Sequence, residues 1–351
     1  MGSALTSDLA ACDEVDELVI ADAAGDRARA LAASLGSGKT RAVSVDLHDR
    51  DRALELLQGT DVLMNCTSFT LFDAVIELAV AGRVAYADLI SEPEERHRRA
   101  VEEAGITAVS GLGATPGLSN VLVRHAADDL GELEEVHISW VSFRTIAPSP
   151  GLLDTILWEL SEDCPTRRYF QNGRYERAGF MEGSRLVDFA EPVGRQRVYY
   201  VPHTEVTTLP RHFPDLRFCA VRGTWRPELI EDIRVLNKYG LLDDEALEAT
   251  KARIWARCGG ERDVAPWMLF VNVEVIAAGG RRVYNVSHPV DWGQEGTGRM
   301  TGTCAAVGAQ LLGRHGSRRA GFVDPEVYYD PREYLAELAT RQTVVVEQTD
   351  L

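Results

Sequence analysis

The first 115 residues alternate short apolar runs with amphipathic stretches. ELVIAD (Glu17 to Asp22), RAVSVD (Arg41 to Asp46), DVLMNC (Asp61 to Cys66), VAYADL (Val84 to Leu89) and ITAVSG (Ile106 to Gly111) read as five buried strands. The segments between them carry apolar residues at helical spacing: Gly25 to Leu35, Arg50 to Leu57, Leu71 to Ala81 closed by Gly82, and a helix to Ala104. Ser91 and Glu94, with Pro93 between, predict a capping box for that last helix. Strands rich in Val and Ala, each followed by a helix, predict a parallel sheet covered on both faces.

The pattern then changes. EVHISWVSF (Glu135 to Phe143) alternates apolar and polar positions, as a strand with one wet face does. Met268 to Val290 reads as two strands turning at Ala278-Gly279-Gly280. Met300 to Leu312 reads as a helix of small residues. The fold expected is therefore α/β: a Rossmann-type parallel sheet over residues 1–115, a second α+β domain with a mixed or antiparallel sheet over 116–297, and a C-terminal helix and tail, 298–351, returning to the first.

The opening MGSALTSDLAACDEVDELVIAD fits helix A and strand 2 of a dinucleotide-binding unit. Asp22 follows Gly2 by 20 residues, the spacing between the glycine fingerprint and the acid that holds a ribose 2′-OH. Gly2 would then be the last fingerprint glycine, with strand 1 and the other glycines upstream of Met1. A chain that lost this strand, or an opening helix that is not helix A, are the other two readings. Asp22 favours NAD over NADP, because a carboxylate repels a 2′-phosphate.

Composition narrows the class. A formal charge of −17 argues against nucleic acid and anionic membrane partners. No apolar run approaches a membrane span, and no leader pattern opens the chain, so a cytoplasmic protein is expected. The six cysteines stand without CxxC pairs, which predicts reduced thiols and no metal site.

DVLMNCTSF, YADL, GLGATPGLSN, the HT of PHTEVTTLP, FPDL, RGTWRPE and GRMTGTCAAVGAQLL follow one another along the chain. In these it resembles the saccharopine dehydrogenase superfamily, and within it looks most like lysine 6-dehydrogenases. Two departures stand out: the glycine loop is absent, and EVTTLP stands where a glycine-rich stretch is expected. The resemblance implies a homodimer that oxidises or forms C–N bonds of an amino acid with NAD(P). By matching position, Asp46 would lie near the adenine, and Asn65, Cys66, Thr67 and Ser68 would line the pyrophosphate and nicotinamide ribose. Gly111 and Gly113 would face the nicotinamide; Pro116, Gly117, Asn120 and Thr204 would line the substrate.

The residues also support a reading of their own. Ligands in open α/β sheets bind beyond the C-terminal strand ends, where Asp22, Asp46, Asn65 to Ser68, Asp88 and Gly111 to Gly113 fall. Thr115 and Pro116 suit the cap and first turn of a helix whose free N–H groups could hold a carboxylate. His203 is the first choice for the base that accepts an amine proton, with Asp88 and Glu205 as rivals. Arg222 would pair with a substrate carboxylate; Arg211 or Arg226 would anchor a second one, and His288 is structural. The leading function is oxidative deamination of a lysine-like amino acid to an imine. Reductive coupling of an amine with a keto acid is the alternative, and a silent relative that lost cofactor binding the third.

Overall fold

A computed structural model describes residues 1–89, 91–260, 266–316 and 318–351. The chain forms two compact units, one of residues Met1–Val121 and Gly298–Arg341, the other of Leu122–Thr297 and Gln342–Leu351.

Unit 1 begins with helix α1 (Gly2–Ala11), whose buried Leu5 and Leu9 lie four residues apart on one face. β1 (Leu18–Asp22) and α2 (Gly25–Leu35) follow, and α2 ends where Gly36 turns left-handed. Next come β2 (Thr40–Ser44), α3 (Arg50–Glu55) capped by Asp49, and β3 (Val62–Asn65). α4 (Phe72–Gly82), β4 (Ala85–Asp88), α5 (Glu95–Ala104) and β5 (Thr107–Val109) complete the alternation.

Two helix ends differ from the sequence pattern. Arg83, not Gly82, takes the left-handed position after α4 (φ 54°). Gly82 stays helical against Leu57, whose Cδ1 would lie 3.0 Å from a Cβ there. α5 is capped by Glu94, with His97 closing the box. Ser91 is not the cap, because its hydroxyl donates to Asp88.

Helix α6 (Leu118–Leu130) leads to the strands of unit 2. These are β6 (Leu133–Phe143), then, after α7 (Pro150–Leu160), β7 (Arg168–Gln171), β8 (Arg174–Arg177), β9 (Arg185–Asp188) and β10 (Arg195–Tyr200). α8 (Glu205–His212) precedes β11 (Phe218–Thr224). α9 (Pro227–Lys238) and α10 (Asp244–Cys258) precede β12 (Met268–Ala277) and β13 (Gly280–Ser287). α11 (Gly296–His315), β14 (Gly321–Val323), α12 (Pro325–Tyr328), α13 (Pro331–Thr340) and β15 (Val345–Asp350) end the chain.

In unit 1 the pairing is parallel throughout: β1 with β2, and separately β14-β5-β4-β3. One edge of β1 and one edge of β3 therefore have no paired strand among the described residues. Phe72, Ile76, Tyr86, Val101 and Ala108 form the core beneath the second sheet.

The sheet of unit 2 is mixed, in the order β15-β13-β12-β6-β11-β10-β9, with β7 and β8 attached to β11. Its long centre is antiparallel, and only β6 and β11 run parallel. The predicted hairpin turns through two residues, since Ala277 pairs with Gly280. β6 is drier than its alternating pattern predicts: Ser139 and Ser142 are both buried.

Candidate functional site

The strand ends of unit 1 gather the nucleotide candidates. Asp22 ends β1 beside Ser44, the end of β2. One Asp22 oxygen accepts from Ala24 N–H at 2.7 Å and closes the turn into α2. Gly25 must be glycine here, because a Cβ would meet the Ser44 side chain at 2.6 Å. Asp46 lies past β2, exposed, and folds its own loop by accepting from His48 N–H at 2.9 Å.

Asn65 ends β3 opposite Asp88 on β4. Its Oδ1 accepts from both the N–H and the hydroxyl of Thr67, at 3.0 and 2.7 Å, which bends residues 66–68 away from the strand. Ser68 Oγ in turn hydrogen-bonds Thr70 at 3.1 Å. Gly2 starts α1 against this bend; a Cβ there would sit 3.2 Å from the Cβ of Cys66.

Asp88 is buried and fully engaged. Oδ1 accepts from Ser110 Oγ (2.9 Å) and Gly111 N–H (3.1 Å); Oδ2 accepts from Tyr86 OH (2.9 Å) and Ser91 Oγ (2.6 Å). Tyr86 OH takes its own bond from the Asn65 amide at 3.0 Å. Burial pushes the Asp88 carboxyl up, against the pull of these four donors. A carboxylate offers about four lone-pair sites, and these protein groups surround them, with the Ser91 and Ser110 hydroxyls also 2.7 Å from each other. The geometry makes Asp88 a clasp joining three strand ends, in contrast with its expected role as a base.

The Gly111 to Asn120 loop is held from within. Leu112 N–H donates to Asp88 O (2.8 Å), Leu118 N–H to Gly113 O (2.8 Å) and Ser119 N–H to Ala114 O (3.1 Å). Gly117 N–H donates to the Asn120 side chain at 3.0 Å, and Asn120 is anchored by Glu326 at 2.9 Å. Gly117 has φ 118°, and a Cβ on it would lie 2.4 Å from Gly113 N. A Cβ on Gly113 would lie 3.2 Å from Pro116 O. α6 starts at Leu118, so Thr115 and Pro116 precede the helix and are not its cap and first turn. The N–H groups of residues 117 to 119 already have acceptors, which removes them as the expected carboxylate cradle.

In unit 2, His203 stands between two acids. Nε2 lies 3.5 Å from Glu159 Oε1, Nδ1 lies 3.5 Å from Glu205 Oε2, and all three side chains are buried. Burial alone would lower the imidazole pKa; the two carboxylates override it and lift the group to about 9. At neutral pH His203 is an imidazolium with both nitrogens facing carboxylates. That differs from the neutral base read from the sequence. Thr204 O accepts from Thr207 and Thr208 N–H at 2.8 and 3.0 Å and so starts α8. The EVTTLP segment is thus helical, with Pro210 inside the helix.

Trp140 on β6 packs over His203, ring centres 5.6 Å apart, and meets Trp225 edge-on at 4.7 Å. Gly223 on β11 leaves room for that indole; a Cβ would strike it at 2.4 Å. Strand residues alternate in direction, so Arg222 projects from the opposite face of the sheet. There it donates to Gly183 O (2.8 Å) and Tyr200 OH (3.2 Å) and lies over the Tyr200 ring. The structure does not bring Arg222 to His203.

Glu159, Trp140 and Arg144 were not singled out in the sequence. Glu159 did leave a signal: an acid among Ile156, Leu157 and Leu160, all buried on α7. A charge inside an apolar helix stripe implies a buried partner.

Residues 1–109 match the family described as the saccharopine dehydrogenase NADP binding domain. The sequence is 22% identical to the carboxyaminopropylagmatine dehydrogenase of Synechocystis sp., over 96% of this chain and 92% of that protein. The fold is similar to that of the saccharopine dehydrogenase (L-Glu forming) of Saccharomyces cerevisiae, with a TM-score of 0.72 at 15% identity, covering 100% of this chain and 98% of that one. It is also similar to a homospermidine synthase of Legionella pneumophila determined with NAD, with a TM-score of 0.64 at 14% identity, covering 99% and 89%. The resemblance to the saccharopine dehydrogenase superfamily is thereby met; the finer likeness to lysine 6-dehydrogenases is not among these matches.

Proposed function

We propose that this chain, whose residues 1–109 carry the saccharopine dehydrogenase NADP-binding domain, transfers hydride between a pyridine nucleotide and the C–N bond of a carboxylated amine. The observation that carries the reading is this domain match, seated on strand ends that present Asp22, Asn65 and the Gly111 loop. A dinucleotide suits the residues present: Asp22 keeps one oxygen beyond its bond to Ala24 for a ribose hydroxyl. The nicotinamide supplies the hydride acceptor or donor; the protein supplies position and exclusion of water.

The Synechocystis relative is named for a carboxyl-bearing amine. That supports the coupling reaction over simple lysine deamination. In such a coupling an amine and a carbonyl would condense to an iminium with loss of water, and a bound reduced nucleotide would supply the hydride that turns it into a secondary amine. Lysine 6-dehydrogenation is the same C–N chemistry in reverse, with ammonia as the amine released. His203, Glu159 and Glu205 would serve here as a fixed ion cluster that seats the Trp140 indole.

The test is reduced-nucleotide consumption by the purified chain. NADH or NADPH is supplied with an aldehyde or keto acid, and with lysine, agmatine or ammonia in turn. Consumption that requires a carbon-bearing amine supports coupling; NAD reduction by lysine alone supports deamination. If neither nucleotide binds, the silent-relative reading replaces both. Asp22 supports NAD as the cofactor, and a homodimer, measurable by light scattering, is the assembly we expect. No described helix is long and apolar enough to cross a membrane.

A further inference from the structure

Arg144 follows β6 by one residue and continues the face that carries Trp140 and Ser142. Its residue exposure is only 5%. One hydrogen bond is made, from Nη1 to Thr145 O at 3.2 Å. No carboxylate of a described residue lies within ion-pair distance, and Glu159, the acid that acts on it from further away, is turned to His203. Burial lowers the guanidinium pKa to about 10, with Glu159 opposing the fall from a distance. A second buried guanidinium, Arg167, has an evident duty: Nη2 caps the end of α7 through Glu159 O and Ser161 O. Arg144 has no comparable duty. A buried charge with one neutral acceptor is costly unless a ligand completes it.

An independent observation falls on the same face. The indole Nε1 atoms of Trp140 and Trp225 are buried and have no acceptor among the described residues. Buried indole N–H groups ordinarily find a partner. Trp140 touches both Trp225 and His203, and His203 is paired with Glu159, the acid that acts on Arg144. Arg144, Trp140 and Trp225 thus stand on one face of the unit 2 sheet, with donors unfilled there.

We propose that Arg144, with the indole N–H groups of Trp140 and Trp225, forms a subsite for a carboxylate of the amine substrate. This deepens the function proposed above and rests on it for the substrate class. It also moves the carboxylate anchor from Arg222, on the other sheet face, to a residue outside the recognised motifs. A guanidinium fork and two indole donors suit a planar carboxylate.

All six tryptophans of the chain lie in residues 140–292, so their emission reports unit 2. The full chain, Arg144→Met and Arg144→Lys are titrated with 5-aminopentanoate and with pentylamine, which has the same amine and no carboxylate. No nucleotide is added. The parent is expected to prefer 5-aminopentanoate by at least about tenfold. Arg144→Met abolishes the preference and Arg144→Lys keeps part of it. Arg144→Met also melts no lower than the parent, since it removes a buried charge without a partner. Equal binding of both amines by the parent, an undiminished preference in Arg144→Met, or a lowered melting temperature for that variant overturns the proposal. If the preference is present while no amine–carbonyl pair consumes reduced nucleotide, the subsite stands and the hydride-transfer reading fails.

Discussion

His203 Nε2 lies 3.5 Å from Glu159 Oε1, and its other nitrogen lies 3.5 Å from Glu205. The imidazole is therefore a cation on account of its place in the fold, with a pKa near 9 in place of 6.5. A group whose folded pKa is raised gives stability that is complete below its unfolded value and lost as pH rises through the folded one. Unit 2 should thus weaken between about pH 6.5 and 9, by on the order of 3 kcal/mol for a shift of this size. Urea unfolding followed by tryptophan emission at several pH values measures it. His203→Gln should flatten the dependence; an equal slope in that variant would assign the pH effect to other groups.

Asp88 poses a different question, because its four donors make it a clasp where a base was expected. Asp88→Asn places an NH₂ against two of those donors. Stability should fall by about 1–3 kcal/mol, and nucleotide binding should weaken as the Gly111 loop loosens. Thermal melting and NADH titration check both. Unchanged melting with a loss confined to kcat would restore Asp88 as the proton acceptor.

These two residues show what was legible in the chain. Hydrophobic period placed β1 to β6 and the β12–β13 hairpin within a few residues, because each strand's burial is written in its own sequence. Asp88 and His203 were visible as candidates for the same reason: each ends or follows an apolar run. What each does is set by partners far away in sequence, Ser110 for Asp88 and Glu159 for His203, and no local pattern encodes those meetings. The short strands β7 to β9 were missed because Arg174 to Arg177 is exposed throughout and has no apolar period. Arg222 looked like an anchor at a strand end; only the Trp140–Gly223 contact reveals which face it occupies.

Arg282 ties the last strand to the body of unit 2. Its buried guanidinium bonds Asp350 on β15 at 2.5 Å and Asp129 on α6 at 2.6 Å. Both aspartates are partly exposed, so solvent tempers the pair. Arg282→Ala should cost about 2 kcal/mol and free β15 first. Amide exchange over residues 345–350 should rise well before exchange in β12. Equal protection of β15 in parent and variant would show that its ladder with β13 suffices.

Asp22 decides between nucleotides if the ribose lies at the end of β1. One of its oxygens is fixed on Ala24 N–H, which aims the other outward from an exposed turn. A ribose 2′-OH would donate to that oxygen, and a 2′-phosphate would meet like charge. Arg29, on the helix that follows, is paired with Asp26 at 2.6 Å, which partly neutralises it toward a phosphate. The parent should bind NADH about tenfold more tightly than NADPH, although the matching family is described by NADP. Asp22→Ser removes the repulsion and keeps a hydroxyl, and should bring the two affinities together at low salt. Tighter NADPH binding by the parent would place the 2′-phosphate away from Asp22 and remove this carboxylate from cofactor choice.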